Sequence, residues 1–251
     1  MDSEFFLELS GLARAAVRDA LDAGLTAESK DDRQFDPVTE ADRAAEMAMR
    51  AAIERRFPDH GIWGEEFGMT RPDAPMRWSL DPVDGTRALV CGLPSWAVLV
   101  GLLDRGTHIA GMIDLPDLDE RLVAVDGRTA RNGEPVRASG RTTIGQARWS
   151  TTDPFLFERA EAESIERIRN AALVGRYGLD ALAYARVATG GLDLVIENKL
   201  APHDLDALVA VVRGAGGHFG DWEGGSDFAQ GRVIAASSAA LYEEAVALLA
   251  R

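Results

Sequence analysis

Apolar residues at the start of the chain recur at a helical period. A stripe at three- and four-residue spacing predicts a first helix over about residues 3–23, with Gly24 as its stop, and consists of Phe5, Leu9, Leu12 and Ala16. A polar linker, ESKDDRQ, follows. Thr39 then precedes a second stretch of helical period, which predicts a second helix that ends near Phe57 and Pro58.

Short apolar runs separated by turn residues come next. The stretch HGIWGEEFG predicts a short strand and an acidic turn. Apolar runs on both sides of the DRGT segment at 104–107 predict a hairpin, and DG and NG turns at 126–127 and 132–133 separate further short strands. Residues 1–140 are therefore predicted to form one lobe, in which a helix pair lies against an antiparallel sheet.

The pattern changes near Arg141, where strand and helix periods begin to alternate. Strands are predicted in ARWSTTDP, LDLVIE and RVIAASS, and helices in 156–172, LDALAYARVATGG, 204–215 and 239–249. Such alternation is typical of an α/β arrangement. We therefore predict a second lobe over residues 141–251.

One stretch, WSLDPVDGTR at 78–87, carries unusual chemistry. Its apolar start suits the end of a buried strand, Pro82 removes a backbone donor that the next ladder position needs, and Gly85 with Thr86 opens a helix. Asp81 and Asp84 are then two carboxylates close together, which repel one another unless a cation lies between them. A hard cation with oxygen ligands satisfies both, and the amides of the following helix favour a phosphate.

Composition narrows the class of protein. The chain has 27 basic and 41 acidic residues, a net charge of −14, which argues against a general nucleic-acid surface. Cys91 is the single cysteine, so neither an intramolecular disulfide nor a multi-cysteine zinc site can form. No apolar run reaches the length of a membrane span, and the first residues indicate an amphipathic helix and not a signal peptide. We expect a cytoplasmic protein that binds neither nucleic acid nor membrane.

Further acidic residues lie in comparable settings, and each has a purely structural alternative. Asp42 completes a capping box with Thr39. Glu65 and Glu66 follow Gly64 in what can be a solvated turn, although a flexible Gly64 would help one of them to point inward. Asp204 can be a plain helix N-cap, and by the same rule Asp81 and Asp84 can be a turn residue and a cap.

The order of these positions resembles the inositol monophosphatase superfamily of magnesium-dependent phosphatases. The D-P-[ILV]-D-G-T signature of that superfamily stands intact at 81–86, its G-E-E at 64–66 and its D-x-V-T-x-x-D at 36–42. Its C-terminal W-D-x-A-A is looser here, because His203 replaces the tryptophan before Asp204. The resemblance implies a layered α-β-α-β-α sandwich, an α+β or α/β fold that is usually a homodimer.

The resemblance also implies roles for individual residues. Two or three Mg²⁺ ions would be bound by Glu65, Asp81, Asp84, Asp204 and the Val83 carbonyl. Thr86 and Glu65 would position the attacking water, and Asp42 would hold an outer ion and orient Thr86. The substrate would contact the same region through Asp84, Gly85, Thr86 and Asp204.

The second half of the chain is most similar to the histidinol-phosphate phosphatase branch, with the patterns Y-G-x-D-x-x-A-Y-A, L-V-x-E-x-x-L and P-x-D-x-x-A-L between 177 and 208. This resemblance places Asp180 and Glu197 at the non-phosphate end of the substrate, where carboxylates suit an ammonium and an imidazole. The structural alternatives are a helix N-cap for Asp180 and an exposed strand end for Glu197.

We therefore expect a phosphate-monoester hydrolase that acts on a small phosphorylated metabolite, with histidinol phosphate ahead of inositol-1-phosphate and sugar or nucleotide phosphates. Two other classes stay open. An aspartyl-phosphate enzyme of the haloacid dehalogenase type needs aspartates one residue apart, whereas Asp81 and Asp84 are three apart. A non-catalytic metal-dependent relative is disfavoured because every carboxylate position is filled.

Overall fold

The computed structural model describes residues 3–22, 27–31 and 34–250, with the backbone alone described at 27–31 and 34–39. The α-helices of this part of the chain are α1 Ser3–Asp22, α2 Glu40–Arg56, α3 Thr86–Val90, α4 Ala160–Ala171, α5 Ala181–Ala188, α6 Pro202–Gly214 and α7 Ala239–Leu249. A two-stranded antiparallel ribbon, β1 Ala27–Asp31 and β2 Gln34–Thr39, lies between the first two helices in sequence.

Two larger sheets form the body of the protein. The first has the order β10-β9-β8-β7-β6-β5-β3-β4 and comprises β3 Gly61–Gly64, β4 Gly68–Thr70, β5 Met76–Asp84, β6 Ala97–Asp104, β7 Thr107–Leu115, β8 Glu120–Val125, β9 Arg128–Arg131 and β10 Glu134–Pro135. The second has the order β12-β11-β13-β15-β14 and comprises β11 Arg148–Thr151, β12 Val174–Tyr177, β13 Leu194–Glu197, β14 His218–Gly220 and β15 Val233–Ala236.

Alternating side chains of the strands bury both faces of each sheet. On β6, Val98 and Val100 face α1 and α2, whereas Ala97 and Leu99 face α5 and α6. On β13, Val195 joins the core that contains α5 and α6, while its neighbours face α4 and α7. The layers are therefore α1/α2, the first sheet, α5/α6, the second sheet and α4/α7, and the predicted α-β-α-β-α sandwich is confirmed.

Helix α6 lies very close to the first sheet. Gly101 on β6 pairs with Gly111 on β7. A Cβ at Gly101 would lie 2.8 Å from the Cβ of Asp206, and one at Gly111 would lie 2.7 Å from the Ala207 carbonyl oxygen. The missing side chains therefore let α6 pack directly on the strands, which brings the helix start towards the end of β5.

Most predicted elements are present, including both N-terminal helices, the 104–107 hairpin and the closing helix. Part of the predicted linker instead forms β1 and β2, and Gly24 lies outside the described residues. Helix α4 begins at Ala160 and not at 156, because Pro154–Leu156 forms a separate 3-10 turn. The short strands β4, β12 and β14 were not predicted, and β3 pairs with β5 in parallel. The lobe boundary at 140 stays a prediction.

Candidate active site

The end of β5 contains a β-bulge that carries the two central aspartates. Asp81 pairs with Leu99 and Asp84 with Ala97, so β5 has one more residue than β6 between these pairs. Pro82 lies in the bulge, and the strand resumes at Asp84, beyond the end that was predicted. The Asp81 carboxylate accepts a hydrogen bond from the Val83 amide at 3.1 Å, which fixes the bulge locally.

Gly85 connects the bulge to the short helix α3. Its φ of 77° is a left-handed conformation, and a Cβ there would lie 3.0 Å from Oδ2 of Asp180. Thr86 begins the helix, and its hydroxyl donates to the Val83 carbonyl at 3.1 Å. The predicted strand-to-helix connection is confirmed, and it lies against Asp180 from the second half of the chain.

Asp84 binds the start of helix α5. The Ala181 amide donates to Oδ2 of Asp84 at 2.7 Å. Asp180 occupies the N-cap position of α5 but makes no capping hydrogen bond with its own side chain. The N-cap position predicted for Asp180 as the structural alternative is confirmed, but its side chain does not cap the helix, because the Asp84 carboxylate accepts the Ala181 amide instead.

Asp204 lies in the first turn of α6. That helix begins at Pro202, so Asp204 is its third residue and not the predicted N-cap. Its Oδ2 accepts the Ala201 amide at 2.7 Å, and its Oδ1 lies 3.4 Å from Nε2 of His203. The side chain keeps 23% of its surface exposed, so the carboxylate stays accessible to a ligand.

The acidic turn after β3 is held by a residue that was not predicted, Glu46 on α2. The fully buried Glu46 carboxylate accepts the amides of Glu66 at 2.7 Å and Phe67 at 3.2 Å, and it pairs with Arg50 at 2.6 Å. Gly64 is needed because a Cβ there would collide with Glu46, and not because of flexibility. The sequence indicated this role of Glu46 only by its spacing, four residues before Arg50 on the apolar stripe of α2.

Glu65 and Asp42 approach the bulge from two other elements. The charges of both carboxylates, like those of Asp84 and Asp204, raise the pKa of Asp81. Of the neighbours Glu65 and Glu66, Glu65 is therefore the one that acts on the bulge. Asp42 is 3% exposed in the first turn of α2. The Thr39 side chain lies outside the described residues, so the capping-box alternative and the predicted effect of Asp42 on Thr86 stay open.

Burial and mutual repulsion shift the titration of this acidic cluster, which we define as Asp42, Glu65, Asp81, Asp84 and Asp204. Burial first, and then the charges of Glu65 and Asp84, raise the pKa of Asp81 well above its usual value. Burial and then Asp180 do the same to the pKa of Asp84. Burial raises the pKa of Asp204 to about 6, against the effect of the Ala201 amide. Carboxylates held together in this way favour a counter-cation.

The donor set fits a hard divalent cation, since it consists of carboxylate oxygens and, at Val83, a backbone carbonyl. No three His, Cys, Asp or Glu side chains in residues 3–22 and 40–250 converge closely enough to bind one ion as they stand. The shared electrostatics of the acidic cluster and its oxygen chemistry therefore support a site for a hard cation.

Glu197 ends β13 as a buried carboxylate, so the exposed strand end is wrong. It is 2% exposed and accepts the Thr152 amide at 2.7 Å, the Thr152 hydroxyl at 2.9 Å and the Thr151 hydroxyl at 3.2 Å. Burial raises the pKa of Glu197 to about 7, although these hydrogen bonds oppose the shift. Burial also raises the pKa of Asp180, against the effect of Arg87.

A single cavity of about 130 Å³ joins these carboxylates. Its lining residues are Asp84, Thr152, Leu156, Asp180, Ala181, Tyr184, Glu197, Asn198, Lys199, Leu200, Asp204 and Leu208. Tyr184 and Asn198 were not singled out from the sequence, and nothing in their local pattern marks them. Two of these lining residues, Asp84 and Asp204, belong to the acidic cluster, and we call them the metal end of the cavity; we call Asp180 and Glu197, with the residues around them, its other end.

Comparison with known proteins identifies the protein family. Residues 3–251 match the inositol monophosphatase family. The chain belongs to the inositol monophosphatase family. Members of this family are phosphatases, so the predicted family and the predicted enzyme class are confirmed. No helix in the described part of the chain combines the length and apolar character that crossing a membrane requires.

Relatives in the family share the fold and carry different names. An Arabidopsis thaliana "Bifunctional phosphatase IMPL2, chloroplastic" is 43% identical over 78% of this chain, and the match spans 57% of that protein. A "Histidinol-phosphatase" of Chlorobaculum parvum is 31% identical over 86% of this chain and 85% of the relative. An "Inositol-1-monophosphatase" of Mesorhizobium japonicum is 33% identical over 80% of this chain and 78% of the relative.

Solved structures agree with the fold of the family. An inositol monophosphatase from Zymomonas mobilis superposes with a TM-score of 0.87 at 36% identity, covering 99% of this chain and 97% of that one. Relatives of similar identity are named for different substrates, so family membership identifies the class of reaction and not the substrate. The substrate has to be inferred from the residues that line the cavity.

Proposed function

We propose that this phosphatase hydrolyses histidinol phosphate in a Mg²⁺-dependent reaction. One observation carries the proposal: a single cavity connects Asp84 and Asp204 of the acidic cluster with the buried carboxylate of Glu197. A phosphate monoester whose other end carries an ammonium and an imidazole matches this arrangement, because carboxylates accept hydrogen bonds from both groups.

Each end of the cavity has its own role in the proposal. Two or three ions would be held by Glu65, Asp81, Asp84, Asp204 and the Val83 carbonyl. Bound magnesium supplies charge neutralisation on phosphate oxygens and lowers the pKa of water. The Thr86 hydroxyl donates to Val83, so its lone pairs remain to accept from a water that Glu65 also orients. Asp42 supports this end from α2.

The proposal also covers the size of the substrate, the location of the enzyme and its oligomeric state. The substrate is a small metabolite, held between the Gly85–Thr86 connection and the carboxylates of Asp180 and Glu197. We propose a cytoplasmic homodimer without a nucleic-acid or membrane partner, in keeping with the net charge of −14. An analytical ultracentrifugation run at micromolar concentration checks the dimer.

The decisive experiment compares substrates. We expect kcat/KM to be highest for histidinol phosphate when it is measured beside inositol-1-phosphate and p-nitrophenyl phosphate, and we expect EDTA to abolish activity on all three. A preference for inositol-1-phosphate would move the assignment to the inositol phosphatases of the same family. Full turnover in excess EDTA would contradict the metal-dependent reaction.

A further inference from the structure

The cavity contains a buried hydroxyl that no other described group engages in a hydrogen bond. Tyr184 on α5 is 2% exposed, and its oxygen makes no hydrogen bond to any described residue. Its ring stacks on Phe219 with centroids 6.0 Å apart, within the core between the two sheets. Packing therefore fixes the hydroxyl at the cavity wall, where a bound ligand is its available partner.

The hydrogen-bonding capacity of the cavity wall is strongly one-sided. Asp84, Asp180, Glu197 and Asp204 offer carboxylate oxygens. Asn198 adds an amide oxygen that accepts a hydrogen bond from none of the described residues. Its Nδ2 donates to the Leu156 carbonyl and to Glu161, which fixes the orientation of the amide.

Donors on the same wall are almost all engaged. The Thr152 hydroxyl donates to Glu197, and the exposed Lys199 pairs with Glu158 at 3.4 Å. Among the described residues that line the cavity, Tyr184 is therefore the one side-chain donor group that has no hydrogen-bond partner. A complementary ligand has several N–H donors and a single acceptor at its non-phosphate end.

We propose that Tyr184 is a specificity-determining residue whose hydroxyl donates to the acceptor nitrogen of a neutral imidazole ring in the substrate. The neighbouring acceptors, including Asn198, then receive the ring N–H and the ammonium of the same molecule. A polyol ring matches the wall less well, because every hydroxyl brings a donor and an acceptor together. The inference rests on the proposed function, since it takes histidinol phosphate as the substrate.

Tyr184→Phe removes the hydroxyl and keeps the ring. We expect the ratio of kcat/KM for histidinol phosphate to that for p-nitrophenyl phosphate to fall about tenfold in this variant, the effect of one net hydrogen bond. An analogue with a pyrrole in place of the imidazole, which has no acceptor nitrogen, should show the same ratio in variant and parent. Thermal stability should be equal or higher, because the substitution leaves no partner unsatisfied.

Tyr242→Phe is the matched control. Tyr242 is also buried, but its hydroxyl donates to the Asp221 carbonyl at 2.8 Å, away from the cavity. This variant should lower the melting temperature and leave the substrate ratio unchanged. The two variants therefore separate a hydroxyl that binds ligand from one that supports the fold.

The outcomes also separate this inference from the proposed function. If the parent prefers histidinol phosphate while Tyr184→Phe keeps the substrate ratio, or reduces it equally for the pyrrole analogue, the role of Tyr184 is overturned and the proposed function stands. If the parent prefers inositol-1-phosphate, the proposed function fails, and the imidazole-specific role fails with it.

Discussion

The two ends of the cavity are constructed in different ways. At the metal end, Asp84 lines the cavity and belongs with Asp81, Val83 and Thr86 to six consecutive residues, whose positions follow from a bulge that contains a proline. At the other end, Thr152, Tyr184 and Glu197 come from a loop, a helix and a strand that are far apart in sequence. A contiguous segment can be shared by proteins with different substrates, while the separated residues can differ between them.

Electrostatics differ between the ends as well. Burial is the first cause of the raised pKa values of Asp81 and Asp84, but neighbouring carboxylates raise them further, and the donor oxygens of the acidic cluster fit cations. Burial is the largest cause of the raised pKa of Glu197, and the hydrogen bonds that this carboxylate accepts come from neutral groups of Thr151 and Thr152. We therefore expect changes in the acidic cluster to affect every substrate, and changes at Glu197 to depend on what the substrate carries.

The largest effect is expected at the bulge. Asp84→Asn removes one charge at constant shape, and it should lower kcat/KM on all monoesters by at least about a hundredfold, more than the usual loss for a residue behind a metal ligand. Asn keeps an oxygen that can accept the Ala181 amide, so the melting temperature should not fall.

Asp221→Asn provides the control for Asp84→Asn. Asp221 is more deeply buried than Asp84, and it accepts three amides of its own loop, from Glu223, Gly225 and Asp227. The Asp221→Asn variant should have a lower melting temperature than the parent and an unchanged turnover number. Near-normal turnover of Asp84→Asn would remove Asp84 from the acidic cluster.

A smaller and selective effect is expected at the other end. Glu197→Gln removes a charge-assisted hydrogen bond to the ammonium, worth about 1.5–3 kcal/mol, so kcat/KM for histidinol phosphate should fall roughly ten- to hundredfold. Inositol-1-phosphate should lose much less, because its hydroxyls carry no charge. An equal loss on both compounds and on p-nitrophenyl phosphate would show that Glu197 acts on the acidic cluster or on the fold.

Burial of Glu197 also predicts a pH dependence of stability. Its pKa rises from 4.5 to about 7 on folding, so between these values the native state binds more protons than the unfolded state. The stabilisation from protonated Glu197 is complete below about pH 4.5 and is lost as the pH rises through about 7, on the order of 3 kcal/mol in all.

The measurement is urea unfolding in EDTA from pH 4.5 to 8, with Glu197→Gln beside the parent. The free energy of unfolding of the variant should fall less steeply with pH than that of the parent. Parallel curves would show that the carboxylate titrates normally in the folded protein.

The smallest effect is expected at Asp42, which defines how far the acidic cluster extends. Asn caps a helix about as well as Asp, so Asp42→Asn should keep the melting temperature in either case. If Asp42 supports the metal end, turnover should fall about tenfold, as for other residues behind metal ligands. Unchanged kinetics would return Asp42 to the capping box.

The sequence by itself determined the local parts of this protein. Helical and alternating periods predicted both N-terminal helices, the hairpins and the α/β alternation, because burial of one face imposes those periods. The segment 81–86 predicted the acidic strand end and the helix after it, because Pro82 and Gly85 restrict the backbone of their own neighbours. The family followed from such contiguous segments.

Only the tertiary structure decided which distant groups satisfy one another. Asp84 holds the start of α5, 97 residues away, and Glu46 holds the turn that carries Glu65. Glu197 proved buried and Tyr184 was not singled out, because the two sheets and the helices between them set their surroundings. A hydrogen bond between distant residues depends on how layers pack, and spacing along the chain does not encode that distance.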